Sequence, residues 1–239
     1  MLLPLRDDNP THGTAFITII LIMMNVAVFV YLNFLAPHPP EYYVYSSALI
    51  PWEITHFQNA SIPILTASGR TVGYFRRDIS PFQSLMTSMF MHGSLMHLFG
   101  NMLFLWIFGN NIEDSLGRIR FALFYLLAGI SASLIHTLFH PLSLIPVLGA
   151  SGAVSGVMGA YLVLYPRARI RTLVFLFVLL TTVDIPAAVF LIVWFFFQFF
   201  YAGGGEGVAW LAHVGGFIMG IVLLRLLQNR KTTRSEFIK

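Results

Sequence analysis

The chain has 239 residues, of which 57% are hydrophobic and only 10% charged, where soluble domains carry about 25% charged residues. A soluble core of this size could not hide that much apolar surface, so lipid must be the solvent. The absence of cysteine excludes disulfides and thiolate metal sites. The formal charge of +4 sits in short loops and at 229–239, with no basic patch interleaved with aromatics, which argues against nucleic acid as a partner.

In chain order, six segments are apolar enough to serve as membrane helices, each of which needs about 20 such residues. The first, 14–34, follows Arg6-Asp7-Asp8. It is too long for a signal-peptide core and no small cleavage-site residues follow, so it is expected to stay as an anchor. The loop at 35–84 is far longer than a connector. Its Pro37, Pro39 and Pro40 and its aromatics Tyr42, Tyr43, Tyr45 and Trp52 suit an ordered segment folded at the headgroup level. Segments 95–112, 121–138 and 147–165 follow. The fifth is divided, because 173–180 is apolar as well and only Asp184 and Pro186 separate it from 185–201. The expectation is that 173–180 dips into the interface and the span begins at Pro186, where proline suits a first helical turn. Asp184 is then a helix cap rather than a proton or ion site. The sixth segment is 208–227. The expected organisation is a short N-terminus (1–13), an all-α polytopic membrane domain (14–228) and a basic tail (229–239).

Arginine and lysine set the orientation. Arg6 precedes the first segment, Arg118 and Arg120 follow the second, and Arg167, Arg169 and Arg171 follow the fourth. Arg225, Arg230, Lys231, Arg234 and Lys239 close the chain. With six spans these all fall on one side, opposite Arg70, Arg76 and Arg77, which places both ends in the cytoplasm.

In that topology the second, fourth and sixth spans all run inward from the external face. His97 and Asn101 lie in the first two turns of the second, Ser151 near the start of the fourth, and His213 in the second turn of the sixth. At 1.5 Å per residue all sit roughly 5–10 Å deep. Polar side chains in lipid face one another or a wet cavity. Nine of the twelve residues in 149–160 are Gly, Ala or Ser, so this helix can pack closely on its neighbours. Gly216 and Gly220 form a matching stripe below His213 that would bring it toward Ser151. Gly152, Gly156, Gly159 and Gly220 are read as packing residues and only Ser151 as chemistry.

Three motifs carry a resemblance over 82–227. They are His92-Gly93-Ser94-Leu95-Met96-His97-Leu98-Phe99-Gly100-Asn101, Gly149-Ala150-Ser151-Gly152, and Ala212-His213-Val214-Gly215-Gly216 with Gly220. In this order and spacing they resemble the rhomboid family of intramembrane serine proteases. Glu113 and Gly117, ahead of Tyr125-Leu126-Leu127-Ala128-Gly129, resemble that family's second-to-third span junction.

The resemblance implies a six-helix rhomboid-like bundle in which Ser151 attacks the scissile carbonyl and His213 is general base, then general acid. His97 and Asn101 would supply side-chain donors to the oxyanion, beside free backbone N–H groups at the start of the Ser151 helix. His92 would support the site by hydrogen bonding, or else only order the entry of the second span. Many family members carry an aromatic ring where Ser155 stands, which leaves open how His213 is held. Ser155 faces the same side as Ser151 but lacks the Gly-x-Ser-Gly context of a nucleophile.

No third member of the dyad is expected. Asp184, Glu113 and Asp114 lie toward the far side, and Glu206 sits among glycines that would not hold it rigidly. His92 and His97 are five apart with no acid between them, unlike the His-Glu-x-x-His of a metalloprotease, so neither metal nor cofactor is implied. Trp194 and Phe195, Phe196 and Phe197 read as lipid-facing bulk first, and as a substrate gate only by analogy.

The implied substrates are single-span membrane proteins, cut at or near their external boundary at small residues. The implied location is a bacterial inner membrane. One rival is a catalytically silent rhomboid-like protein that binds membrane clients, disfavoured because Ser151 and His213 are both present. The other is a transporter built on Asp184, disfavoured because the polar residues share one depth and line no path across.

Overall fold

Each of the six apolar segments contains a helix in the computed structural model, which describes residues 2–65, 71–75, 77, 79–176, 179–200 and 209–228. The chain begins with β1 (Leu2–Asp7), α1 (Phe16–Val30) and a π-helical turn (Tyr31–Leu35). Next come α2 (Pro40–Ser47), α3 (Pro51–His56), β2 (Ile62–Leu65), β3 (Thr71–Phe75), α4 (Pro81–Thr87) and a 3-10 turn (Ser88–Phe90). Then follow α5 (Leu95–Leu116), α6 (Arg118–Phe139), α7 (Ser151–Leu164), β4 (Arg169–Leu176), β5 (Leu179–Pro186), α8 (Ala187–Phe200) and α9 (Trp210–Leu227). Among the described residues, Phe16–Leu35, Arg118–Phe139 and Trp210–Leu227 are long and apolar enough to cross a membrane. α7 and α8 have 14 residues each, about 21 Å of helix against a hydrocarbon core of about 30 Å. α5 is longer but carries Asn101, Asn110, Asn111, Glu113 and Asp114.

The helix ends have local causes. Ala15 offers α1 no side-chain acceptor. The Glu113 carboxylate of α5 supplies one, accepting from the N–H of Ile17 (2.9 Å) and of Thr18 (2.8 Å) and from the Thr18 hydroxyl (2.9 Å). A carboxylate there also meets the positive end of the helix dipole. Ser94 caps α5, its hydroxyl accepting from the His97 N–H at 3.2 Å. Gly117, at φ +76°, turns the chain directly from α5 into α6, a conformation that a Cβ disfavours.

α7 is the central helix. Residues 152–161 are all buried, with α5, α6 and α9 packed around them. The expected close packing of α7 on α9 is present. A Cβ on Gly216 would run into the Gly152 carbonyl, one on Gly220 into the Gly156 carbonyl, and one on Gly159 into the Phe217 carbonyl. The two backbones therefore touch, as small residues permit in membrane helices. Tyr125, Tyr161, Phe108, Phe121 and Phe124 are completely buried around this centre.

The fold departs from the all-α expectation. β1, β4 and β5 form an antiparallel sheet in the order β1-β4-β5. Residues 173–176 and 179–180 of the apolar segment therefore pair as antiparallel strands instead of forming a loop that dips alone into the interface. Ile170 and Thr172 are buried while Arg169 and Arg171 are exposed, the period-two pattern of a half-buried strand. Segment 1–13 supplies β1. Asp7 there accepts from the Tyr161 hydroxyl of α7 at 2.6 Å and from Asn111 of α5 at 2.7 Å.

Asp184 is not a helix cap. It lies opposite Arg171 across the hairpin, taking hydrogen bonds from Nε at 2.9 Å and Nη2 at 3.1 Å. The Arg171 hydrogen bonds hold its carboxyl below the usual carboxylate range.

The long loop is folded. Prolines open α2, α3 and α4, since the first helical position needs no N–H. β2 pairs with β3, and Tyr42 packs edge-on against both Tyr43 and Phe75 at 5.3 Å. Arg77, read as a topological marker, forms a fully buried ion pair with Glu53 and donates to the Ala48 carbonyl at 2.5 Å. Arg70, Arg76, Glu206 and the tail with Arg230, Lys231, Arg234 and Lys239 lie outside the described residues.

Candidate active site

Ser151 is the first residue of α7, so its backbone N–H has no intrahelical acceptor. Gly149 sets the turn into that helix, with φ at +125° and its N–H on the Ser88 carbonyl at 2.9 Å. A Cβ on Gly149 would lie 2.7 Å from Cε1 and 2.8 Å from Nε2 of the His97 imidazole. Conformation and space both require glycine there.

His213 lies in the first turn of α9, one turn earlier than a span starting at 208 implied, because that helix begins at Trp210. Its Nε2 is 2.8 Å from Ser151 Oγ. The backbone contact of α7 with α9 makes this approach possible. On its other side, His213 Nδ1 is 2.8 Å from Oε1 of Gln198, a buried residue of α8. Gln198 Nε2 donates in turn to the Trp194 carbonyl at 3.0 Å. Trp194 is half-buried, its ring 6.2 Å from His213 and stacked on Phe217 at 6.2 Å. Phe195 also packs on Phe217, at 5.0 Å. These two rings are half-buried and pack against the bundle, whereas Phe196 and Phe197 are exposed.

Gln198 was not among the sequence candidates. The signal was a single amide in an otherwise apolar helix, which must turn inward to find partners.

Ser155 is buried, and its hydroxyl donates to the Ser151 carbonyl at 2.6 Å. It is thus occupied with its own helix and does not fill the place of a ring beside His213. Among the described residues that place is taken by Trp194 and Gln198.

His92, His97 and Asn101 gather at the same end of the bundle. Asn101 Nδ2 donates to His92 Nε2 at 3.0 Å, and the Ala150 N–H approaches the same nitrogen at 3.5 Å. His92 therefore joins α5 to the turn that presents Ser151, beyond ordering the start of α5. His97 sits edge-on to His92 at 5.0 Å. Among the described residues, the second Asn101 N–H and the Ser151 N–H have no acceptor, so with the His97 ring they are able to serve a negative charge. A cavity of about 20 Å³ beside Ser151 is walled by Gly129, Ala132, Ser133, Gly152 and Ala212, enough for one water or a methyl group. Among the described residues, no three His, Asp or Glu side chains gather as metal ligands would.

The family pattern described as the Rhomboid domain matches residues 80–230, more than half of the chain. The chain belongs to the rhomboid family. His92, His97, Asn101, Ser151, Gln198 and His213 all fall inside the rhomboid domain. Curated relatives include Rhomboid protein 1, mitochondrial, of Saccharomyces cerevisiae, 34% identical over 151 residues. That match covers 58% of this chain and 40% of the yeast protein. RHOMBOID-like protein 6, mitochondrial, of Arabidopsis thaliana is 33% identical over 161 residues, covering 64% of this chain and 46% of its own. Rhomboid protease GluP of Bacillus subtilis is 42% identical over 78 residues, or 33% of this chain and 15% of GluP.

The chain thus spans less than half the length of these rhomboid relatives. They come from a yeast, a plant and a bacterium, and the first two are named as mitochondrial. They support a membrane-embedded protein and give no support to a bacterial inner membrane in particular.

Proposed function

We propose that this rhomboid is an intramembrane serine endopeptidase working through a Ser151–His213 dyad. The observation that carries the reading is the 2.8 Å contact of Ser151 Oγ with His213 Nε2 inside the rhomboid domain. Nε2 takes the Ser151 proton as Oγ adds to the scissile carbonyl, then returns it to the leaving amine. The oxyanion meets the Ser151 N–H, Asn101 Nδ2 and the His97 ring, donors aimed in advance at developing charge. Water entering from the same end then hydrolyses the acyl-enzyme, with His213 again as base.

The substrates in this reading are single-span membrane proteins. The cavity beside Ser151 is walled by Gly129, Ala132, Gly152 and Ala212, which suits a small residue at the cut. If the chain makes six spans, Arg118, Arg120, Arg167, Arg169, Arg171 and Arg225 fall toward the opposite end. By the positive-inside rule the site then opens on the external side, with both ends of the chain cytoplasmic. A silent client-binding protein would have no chemical use for an assembled serine–imidazole contact.

The test uses the purified chain in liposomes with a labelled single-span substrate. Wild type is expected to cut it, while Ser151→Ala and His213→Ala, both folded, are not. Binding of the substrate without cleavage by the wild type would favour the silent reading.

A further inference from the structure

We infer that Gln198 is a positioning residue that fixes the tautomer of His213, standing where a serine protease triad has its carboxylate. The inference rests on the dyad reading above. An amide in that place is ambiguous in principle, because it can turn either its oxygen or its NH2 toward the imidazole. In a Ser-His-Asp triad, converting the aspartate to an amide costs about 10⁴ in kcat by stabilising the wrong tautomer. Here the ambiguity is removed by the backbone. The Trp194 carbonyl, 3.0 Å from Gln198 Nε2, can only accept, so the NH2 points to it and Oε1 points to His213 Nδ1 at 2.8 Å. An oxygen without hydrogen requires the Nδ1 proton. Nε2 is then the bare nitrogen, facing Ser151 Oγ at 2.8 Å.

Packing holds the arrangement. Gln198 is 4% exposed, and the Trp194 indole, stacked on Phe217 at 6.2 Å, lies 6.2 Å from the imidazole. Ser155 is committed to the Ser151 carbonyl. Three helices thus make the dyad: α7 gives the nucleophile, α9 the base, and α8 the group that orients the base. Gln198 touches neither substrate nor the reacting atoms, so its effect passes entirely through His213.

The test compares Gln198→Leu, which removes the acceptor, with Gln198→Glu, which keeps an acceptor for Nδ1–H but loses the donor to Trp194. Two readouts are used: substrate turnover, and the rate of inactivation by a fluorophosphonate. In the inactivation, Ser151 Oγ bonds to phosphorus, fluoride leaves and the proton passes to His213. Gln198→Leu is expected to lower kcat and the inactivation rate by tenfold or more, with KM within about twofold. Gln198→Glu is expected to recover most of both rates.

A residue that only packs α8 into the bundle gives the reverse ranking, since leucine suits an apolar interior and a buried carboxylate does not. Wild-type rates for Gln198→Leu, or Gln198→Glu slower than Gln198→Leu, overturn the inference. Gln198→Met replaces Gln198→Leu if the branched side chain fails to fold. Ser151→Ala and His213→Ala run in parallel. If they are inert while Gln198→Leu is unimpaired, only the role of Gln198 falls; if they react like wild type, the dyad itself falls.

Discussion

Ser155 donates its hydroxyl to the Ser151 carbonyl at 2.6 Å, one helical turn back along α7. Two serines on one face of a helix are thereby given different work, one bound to the backbone and one to an imidazole. Ser155→Ala is expected to keep at least a third of wild-type turnover with little change in Tm, because back-bonding to the i−4 carbonyl adds little to a helix. Turnover and melting measured on the same preparation check this. An inert, folded Ser155→Ala beside an active Ser151→Ala would exchange their roles.

Asn101 donates to His92 at 3.0 Å, which in the proposed mechanism leaves its second N–H for the oxyanion. Asn101→Ala is expected to lower kcat by about 10²–10³, the cost of one such donor, with KM little changed. Losing the His92 bond should also lower Tm. His92→Ala is expected to share the drop in Tm with a smaller effect on kcat. If both variants lose activity only in step with their folded fraction, Asn101 leaves the list of oxyanion donors.

The contact between α7 and α9 should tolerate no added methyl. Gly220→Ala puts a Cβ into the Gly156 carbonyl and is expected to cost about 1–3 kcal/mol by overpacking. It should also slow turnover by moving His213 from Ser151. Gly100→Ala is the control, since a Cβ there meets nothing within 4 Å. Equal Tm and turnover for the two variants would contradict the backbone contact.

Arg77→Met leaves the Glu53 carboxylate buried without its partner and is expected to cost about 3–5 kcal/mol. Adding Glu53→Gln should restore much of that loss. Urea unfolding of the single and double variants measures it, and an additive double variant would deny the coupling.

Asp184→Asn is expected to leave turnover unchanged, because Asp184 is an exposed hairpin residue paired with Arg171. The pairing lowers the folded-state pKa below the ordinary 3.8. Its contribution is therefore present above about pH 3.8 and lost as pH falls through the lower folded value. The variant should lack that acid-side loss in a Tm-versus-pH series; abolished turnover would instead revive a proton or ion site.

The helices and the Ser151–His213 pairing were legible in the chain because apolar runs and small-residue motifs are local signals. The sheet was not. Strand β1 finds its partner between 163 and 172 residues away, and 173–180 is an apolar run whose length suits a strand and a buried helical turn alike. Only the alternation of Arg169, Ile170, Arg171 and Thr172 marked it. Gln198 escaped because Trp194, Phe195, Phe196 and Phe197 just before it read as lipid-facing bulk. Arg77 escaped because a charge in a loop is ordinarily solvated, while its partner Glu53 lies 24 residues earlier.

The most direct test of the dyad is to locate the adduct formed by a fluorophosphonate on the full chain, by mass spectrometry of the peptide containing both Ser151 and Ser155. The account predicts one phosphonate on Ser151 in the wild type and in Ser155→Ala, and none in His213→Ala over the same interval. An adduct on Ser155, or a Ser151 adduct formed equally fast in His213→Ala, would contradict it.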